Sequence, residues 1–370
     1  MRVLHLDSGR EWRGGQQQVF FLAEGLKKLQ LEQSFLIEAC SPLAAGLEGL
    51  GLSVSRLRFR SELDPLSAMG LWRVIQRLKP DLVHAHDSKT LGLAALVKFF
   101  SNPFRLVGSR RVTFPLRGNP LRLLKYRRMA DCIIAVSDFV RTQLIEEGLP
   151  AGKVVRIYDG FQPAPAANAE IKRKARSHWG ILDHETVIGN LGHMTSEKGH
   201  GDLLQAFALL QKQIPSTRLV LAGDGPLRPQ LETMALDLGI RSAVIFAGQV
   251  QPLEPILALL DCFVLPSRME GLGSILLLVM AQGIPICASR AGGIPELIRD
   301  EETGRLFPPA SPEAMAGRLR SLFDNSARTQ RMAEQARQIV MKDFQVEGMV
   351  TKTCYLYRQI LTGKRFGENS

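Results

Sequence analysis

The sequence predicts an α/β protein of two doubly wound, Rossmann-type domains, and three observations carry that expectation. Strand-like apolar runs alternate with helix-like segments throughout, the pattern of parallel sheets covered on both faces. The 370 residues are too many for one ordinary α/β domain and suit two. The alternation breaks once, in the stretch Asp159-Gly160-Phe161-Gln162-Pro163-Ala164-Pro165, and then restarts.

Before the break, strands are expected over 3–7, 34–39, 54–59, 82–86, 105–109, 132–136 and 154–158, with helices over 17–29, 65–78 and 140–147. After it, strands are expected over 187–191, 218–222, 244–247, 262–265 and 285–288, each followed by a helix. A last helix is expected over 345–361. The division is therefore 1–160, 161–344 and a terminal segment 345–370.

Composition narrows the class. A hydrophobic content of 45% is globular, and no apolar run reaches the ~18 residues of a membrane span. Met1-Arg2-Val3-Leu4-His5-Leu6-Asp7 is too short and polar for a signal peptide and reads as a first buried strand. The five cysteines are scattered with no CxxC pair, which points to a reducing cytoplasm. The net charge of +11 is uneven: the first 160 residues hold 24 of the 47 basic residues but 15 of the 36 acidic ones. No acid lies between Asp87 and Asp131, while Lys89, Lys98, Arg105, Arg110, Arg111, Arg117, Arg122, Lys125, Arg127 and Arg128 do. Such a run is either a solvated helical face or a footprint for an anionic acceptor or an anionic membrane surface. Nucleic acid is not expected, because aromatics are sparse and no binding module is legible. Oligomeric state is not readable.

The densest chemistry lies in 266–298, where Glu270 sits beside Gly271, Leu272 and Gly273 at a strand-to-helix turn and a second turn follows at Gly292-Gly293. Glycines at a helix N-terminus leave amides free for a phosphate or diphosphate, whereas the plain alternative for Glu270 is a helix cap. Gly14-Gly15, with Gln17 behind, follows the first strand and reads as a second anion-approach turn or an ordinary one. Asp81-Leu82-Val83-His84-Ala85-His86-Asp87 ends a buried strand, and a period of two sets His84 and His86 on one side, His86 nearer the end. Ser109-Arg110-Arg111, with Lys125 and Tyr126, supplies guanidinium and ammonium groups suited to an anionic acceptor. The loop Gly192-His193-Met194-Thr195-Ser196-Glu197-Lys198-Gly199 offers Lys198 as a fixed cation for a leaving diphosphate. Gly223-Asp224-Gly225-Pro226 reads as a structural turn with Asp224 as a cap. Gly248-Gln249 follows the next strand.

In this order the motifs, from Gly14 to Glu296, resemble those of the family-4 retaining glycosyltransferases. The resemblance implies the GT-B architecture, in which two Rossmann-like domains face a cleft and a terminal helix crosses back onto the first. It implies transfer of a sugar from a nucleotide diphosphate to a saccharide or lipid-linked acceptor, as in polysaccharide or lipopolysaccharide assembly, with retention and with no metal or other cofactor. By that resemblance His86, Lys198 and Glu270 are catalytic. Gly15, His193, Gly248, Gln249, Gly271, Leu272, Gly273 and Leu278 line the donor site, and Gly14, Gln17, Arg110, Arg111 and Lys125 the acceptor site. Three positions depart from the family pattern. Gln17 stands for a glutamate, His193 for an arginine, and Leu278 for the second acid of the donor motif. A silent nucleotide-binding or scaffold relative, a glycan phosphorylase and a sugar-nucleotide epimerase of the same fold are the alternatives. The expected location is the cytoplasm, on the inner face of the membrane.

Overall fold

A computed structural model describes residues 1–101, 104–116, 123–163 and 169–363. Arg117 and Arg122 of the basic run, and Ala164 and Pro165 of the break, lie outside them. The chain divides into two compact units, Met1–Phe161 with Phe344–Ser370, and Gln162–Asp343.

The first unit is built on β1 (Arg2–Asp7), β2 (Glu32–Glu38), β3 (Ser53–Leu57), β4 (Leu82–Ala85), β5 (Arg105–Arg110), β6 (Cys132–Ala135) and β7 (Val154–Arg156). All its pairings are parallel, in the order β3-β2-β1-β4-β5-β6-β7. Between strands run α1 (Gly14–Lys28), α2 (Pro42–Gly49), α3 (Pro65–Leu78), α4 (Ser88–Ser101) and α5 (Asp138–Glu146). The bounds of α3 were legible because its signals are local. Asp64 caps it by accepting from the Ser67 amide at 2.8 Å, Pro65 opens it, and Lys79 closes it in the left-handed region. Helix α1 starts at Gly14 and not behind the glycine pair, so both glycines lie in its first turn.

The C-terminal helix, Val346–Thr362, belongs to this unit. Its Val346, Val350, Cys354 and Tyr357 pack with Leu22 and Leu26 of α1 and with Val3, Leu82 and Val107 of the sheet. The approach is closest at Gly25, where a Cβ would fall 2.3 Å from Val350 Cγ2.

The second unit carries β8 (Thr186–Leu191), β9 (Thr217–Ala222), β10 (Val244–Gly248), β11 (Cys262–Leu265), β12 (Ile286–Ser289) and β13 (Arg305–Phe307), parallel and ordered β10-β9-β8-β11-β12-β13. Its helices are α6 (Ala169–His178), α7 (His200–Gln211), α8 (Arg228–Asp237), α9 (Glu254–Leu259), α10 (Ile275–Ala281), α11 (Ile294–Leu297), α12 (Pro312–Phe323) and α13 (Ser326–Asp343). One core joins Leu203, Phe207 and Leu210 of α7 to Leu219, Leu221, Val264 and Phe307 of the sheet and Met315 and Leu319 of α12. Strand β13 was not expected from the sequence, because three residues opening on an arginine show no periodicity.

Each sheet reverses direction once, between β1 and β4 in the first unit and between β8 and β11 in the second. In doubly wound sheets the crevice at that reversal, beyond the strands' carboxyl ends, is where ligands bind. The two reversals therefore select the loops after β1 and β4, and after β8 and β11, as the places to look.

Candidate functional site

In the second unit, the loops after β8 and β11 bring together two residues separated by 72 positions: Lys198 Nζ lies 2.7 Å from Glu270 Oε2. Both are part-buried, the side chains 29% and 14% exposed, so the pair is only partly screened by solvent. The buried Ser267 hydroxyl donates to the same carboxylate oxygen at 3.0 Å, and the Ser289 hydroxyl donates to the Ser267 carbonyl at 2.6 Å. Glu270 is therefore not a helix cap. Helix α10 begins five residues later, and the carboxylate is engaged by Lys198 and Ser267.

Backbone contacts fix this geometry. The Arg268 amide donates to the Glu197 carbonyl at 2.7 Å, and the Arg268 guanidinium holds both Asp202 oxygens at 2.8 and 2.7 Å. Two glycines let the loops meet. At Gly199 (φ +68°) a Cβ would stand 2.1 Å from the Pro266 carbonyl oxygen, and at Gly292 (φ +54°) 1.7 Å from that of Glu270. Neither position has room for a side chain, and both need the left-handed region that glycine enters freely.

The remaining donor-side residues are placed as follows. Gly271, Leu272 and Gly273 are buried within the loop after β11. On α10, Leu276, Leu277, Val279 and Met280 are buried while Leu278 is only half-buried, so the leucine at the departing position is the one on the more open face. His193 is half-buried, in the loop that ends at Lys198. Gly248 is in the left-handed region and Gln249 is exposed. Asp224, read as a helix cap, does not cap α8, which starts at Arg228. It accepts from the Gly225 amide at 2.7 Å and pairs with Arg228 at 3.1 Å. His200, just beyond Lys198, is buried with neither ring nitrogen partnered among the described residues. Burial, with Lys198 and His193 beside it, pushes its pKa down to about 4.

In the first unit, the β1–β4 register sets His5 beside His84, and His86 lies on the same side two residues on. All three rings are buried. His84 Nδ1 is 2.5 Å from Tyr357 Oη, and its Nε2 is 2.8 Å from Ser109 Oγ. Both nitrogens are committed, so His84 ties the C-terminal helix to the sheet and has no group left for a ligand. His5 Nδ1 and His86 Nε2 are 3.0 Å apart. Although the three rings place nitrogens within 4.8 Å of one another, this is a hydrogen-bonded set and not a ready set of metal ligands.

At the same strand ends Asp7 accepts from the Gly9 amide at 2.8 Å and from Gln16 at 3.1 Å, while Asp87 accepts from the Ser8 amide at 2.8 Å. Burial, and then the neighbouring Asp87, push the Asp7 carboxyl up to about 6. A Cβ on Gly14 or Gly15 would meet nothing within 4 Å, so the first turn of α1 faces open space. Gln17 accepts from the Trp12 indole at 2.9 Å.

The basic run separates on folding. Arg111 pairs with Asp159 at 3.2 Å, and its charge adds slightly to burial, which is what chiefly lowers the His84 and His86 pKa values. Arg110 donates to Tyr126 Oη at 3.2 Å and to the Phe114 carbonyl. Lys125 is buried against Glu62 and accepted by the Ser88 carbonyl at 2.8 Å. Lys98 and Arg105 share Asp131. These acids come from outside the 88–130 window, which is why the run looked uncompensated in sequence. The sequence also missed His5, Ser289 and Tyr357, whose partners lie on other elements. Only their polarity inside apolar strands or helices marked them.

Comparison with known proteins gives the family and the fold. The model for glycosyl transferases group 1 matches residues 171–339, and that for Glycosyltransferase Family 4 matches residues 12–164. The lipopolysaccharide core biosynthesis glycosyltransferase LpsE of Rhizobium meliloti is 27% identical over 98% of this chain and 100% of its own length. A GDP-mannose-dependent phosphatidylinositol monomannoside mannosyltransferase of Mycolicibacterium smegmatis is 26% identical over 85% of this chain and 88% of its own. Among solved structures, HepE of Anabaena in complex with UDP-glucose superposes with a TM-score of 0.87 at 21% identity, covering 97% of this chain and 100% of that one. The fold and the two family models define a GT-B glycosyltransferase. Two family models that between them span most of the chain make the narrower assignment: it belongs to glycosyltransferase family 4.

Proposed function

We propose that this enzyme moves a hexose, with retention, from a nucleotide-diphosphate sugar to a saccharide or lipid-linked acceptor in lipopolysaccharide or other cell-surface polysaccharide assembly. The unit from Gln162 to Asp343 holds the donor and the unit containing His86 the acceptor. The observation that carries the reading is the Lys198–Glu270 pair at the β8/β11 reversal. As the bond from the anomeric carbon to the diphosphate oxygen breaks, its electron pair leaves with the diphosphate, and a fixed ammonium there lowers the barrier. Glu270 holds that ammonium in place and offers its second oxygen to sugar hydroxyls. The names of the relatives support the acceptor class, and the UDP-glucose held by HepE makes UDP the first nucleotide to try.

Calorimetry with UDP, GDP, ADP and CMP tests this. One nucleotide diphosphate is expected to bind in the micromolar range, and Leu278→Glu to tighten that binding about tenfold by adding one hydrogen-bond acceptor at the open face of α10. Silence from all four nucleotides with both chains counts against the reading.

We also propose that the acceptor is met at an anionic membrane surface. No helix among the described residues is long and apolar enough to cross a membrane. Helix α3, however, exposes Leu66, Met69 and Trp72 at a spacing of three, 54%, 42% and 44% accessible, with Arg73 and Arg77 exposed beside them. An apolar row flanked by arginines suits the interface of an anionic bilayer. Met69→Glu with Trp72→Glu is expected to abolish co-sedimentation with phosphatidylserine vesicles. Unchanged sedimentation, or equal binding to phosphatidylcholine vesicles, removes the proposal.

A further inference from the structure

We infer that Arg268 is a positioning residue which, through its clamp on Asp202, holds Lys198 where its ammonium meets Glu270. The inference rests on the reading above only in giving that ammonium a diphosphate to act on.

The need for a clamp comes from Lys198 itself. Its ammonium ends a flexible stem with much rotamer freedom. That stem rises from the single turn Ser196–Lys198, which ends at the left-handed Gly199. Neither the stem nor a turn of 3 residues holds a charge in one place. A misplacement of about 1 Å in a reacting constellation can cost about 100-fold in rate. Something outside the turn must therefore fix it.

Arg268 does so with both its main chain and its side chain. Just before Lys198, the Glu197 carbonyl accepts from the Arg268 amide at 2.7 Å and from the Met269 amide at 3.3 Å. One helical turn beyond Lys198, Asp202 sits in the first turn of α7, and its two oxygens accept from Arg268 Nε and Nη2 at 2.8 and 2.7 Å. The two anchors bracket Lys198, and both belong to the residue two positions before Glu270. The segment that carries the cation and the segment that carries its carboxylate are thereby joined into one frame, across which Lys198 and Glu270 meet at 2.7 Å.

This clamp differs from an ordinary surface ion pair. The guanidinium is 50% exposed, but the Asp202 side chain is only 8% exposed, so the pair is less screened than two exposed charges would be. Two parallel N–H···O bonds also fix direction as well as distance, which a single ammonium contact does not. Sequence could not reveal the clamp, because Arg268 and Asp202 are 66 positions apart.

Two readouts test this, and the first needs no substrate. In the full chain, acylation of Lys198 by an amine-reactive reagent, followed by mass spectrometry, is expected to be slow in the wild type, where Glu270 holds the ammonium. It rises several-fold in Arg268→Ala and in Asp202→Asn, and less in Arg268→Lys, which keeps a charge but not the fork. Labelling of Lys198 at the wild-type rate in the first two variants overturns the inference. The second readout is turnover of the sugar conjugate of whichever nucleotide binds in the calorimetry. Arg268→Ala and Asp202→Asn are each expected to lower kcat by about 10- to 100-fold with KM little changed. In a Lys198→Ala background neither costs more, because both act through the lysine. Full kcat in Asp202→Asn means that the guanidinium acts directly, and equal losses with and without Lys198 mean that the clamp only holds the fold together. Either result overturns the inference. Should Arg268→Ala fail to fold, Arg268→Lys and Asp202→Asn carry the same comparisons. A fully active Lys198→Ala enzyme sinks the functional reading instead, and the labelling still decides whether the clamp holds Lys198.

Discussion

Lys198→Ala is expected to lower kcat for nucleotide-sugar turnover by about 100- to 1,000-fold, the usual loss when one preorganised transition-state contact is removed. The substitution deletes the ammonium 2.7 Å from Glu270 and leaves that carboxylate part-buried beside the Ser267 hydroxyl alone. Two effects then add. The leaving diphosphate loses its fixed cation, and the unpaired Glu270 repels the same anion. Lys198→Arg keeps the charge but replaces a point ammonium with a larger fork, so an intermediate loss is expected. Release of free nucleotide from a sugar conjugate of whichever nucleotide binds in the calorimetry, followed in the steady state, reads all three enzymes. A loss under threefold for Lys198→Ala means that the cation acting on the diphosphate is another one. Glu270→Gln should cost less than Lys198→Ala, because an amide can still hold sugar hydroxyls while the ammonium remains.

Gly292→Ala should destabilise the protein by about 2–5 kcal/mol and disable the site together. The added methyl would lie 1.7 Å from the Glu270 carbonyl oxygen, and the residue would be held at φ +54°. Left-handed backbone costs an alanine about 1–2 kcal/mol, and overpacking typically adds 1–3 kcal/mol. Relief of the clash separates the Gly292 turn from the Glu270 loop, and a shift of Glu270 weakens its pair with Lys198. Thermal unfolding and nucleotide calorimetry together check this. Gly14→Ala is the control for stability, since a methyl there meets nothing within 4 Å. Equal melting temperatures for the two variants would mean that the Glu270 loop yields at no cost.

Glycine 292 illustrates how much of the site was legible. A Gly-Gly turn was visible at 292–293, yet nothing in the sequence says that its neighbour is the carbonyl of the candidate catalytic residue. The basic run teaches the converse. Counted along the chain it has no acid, and in the fold Lys98, Arg105, Arg111 and Lys125 each meet one. Charge along a window is a property of sequence, whereas charge at a surface depends on which elements the fold brings alongside.

The sequence by itself determined the alternation of strand and helix, the break near Gly160, the caps of α3 and the ordered motifs of glycosyltransferase family 4. These are written locally, in hydrophobic period, turn chemistry and short spacing, and survive without knowledge of any partner. Only the tertiary structure decided that Lys198 and Glu270 touch, that His84 is tied to Tyr357 on the C-terminal helix, and that His5 and His86 lie within hydrogen-bond distance. Each of those pairs joins residues more than 70 positions apart. Such contacts depend on strand order and register, set by the burial of whole sheets, which no short window of sequence contains.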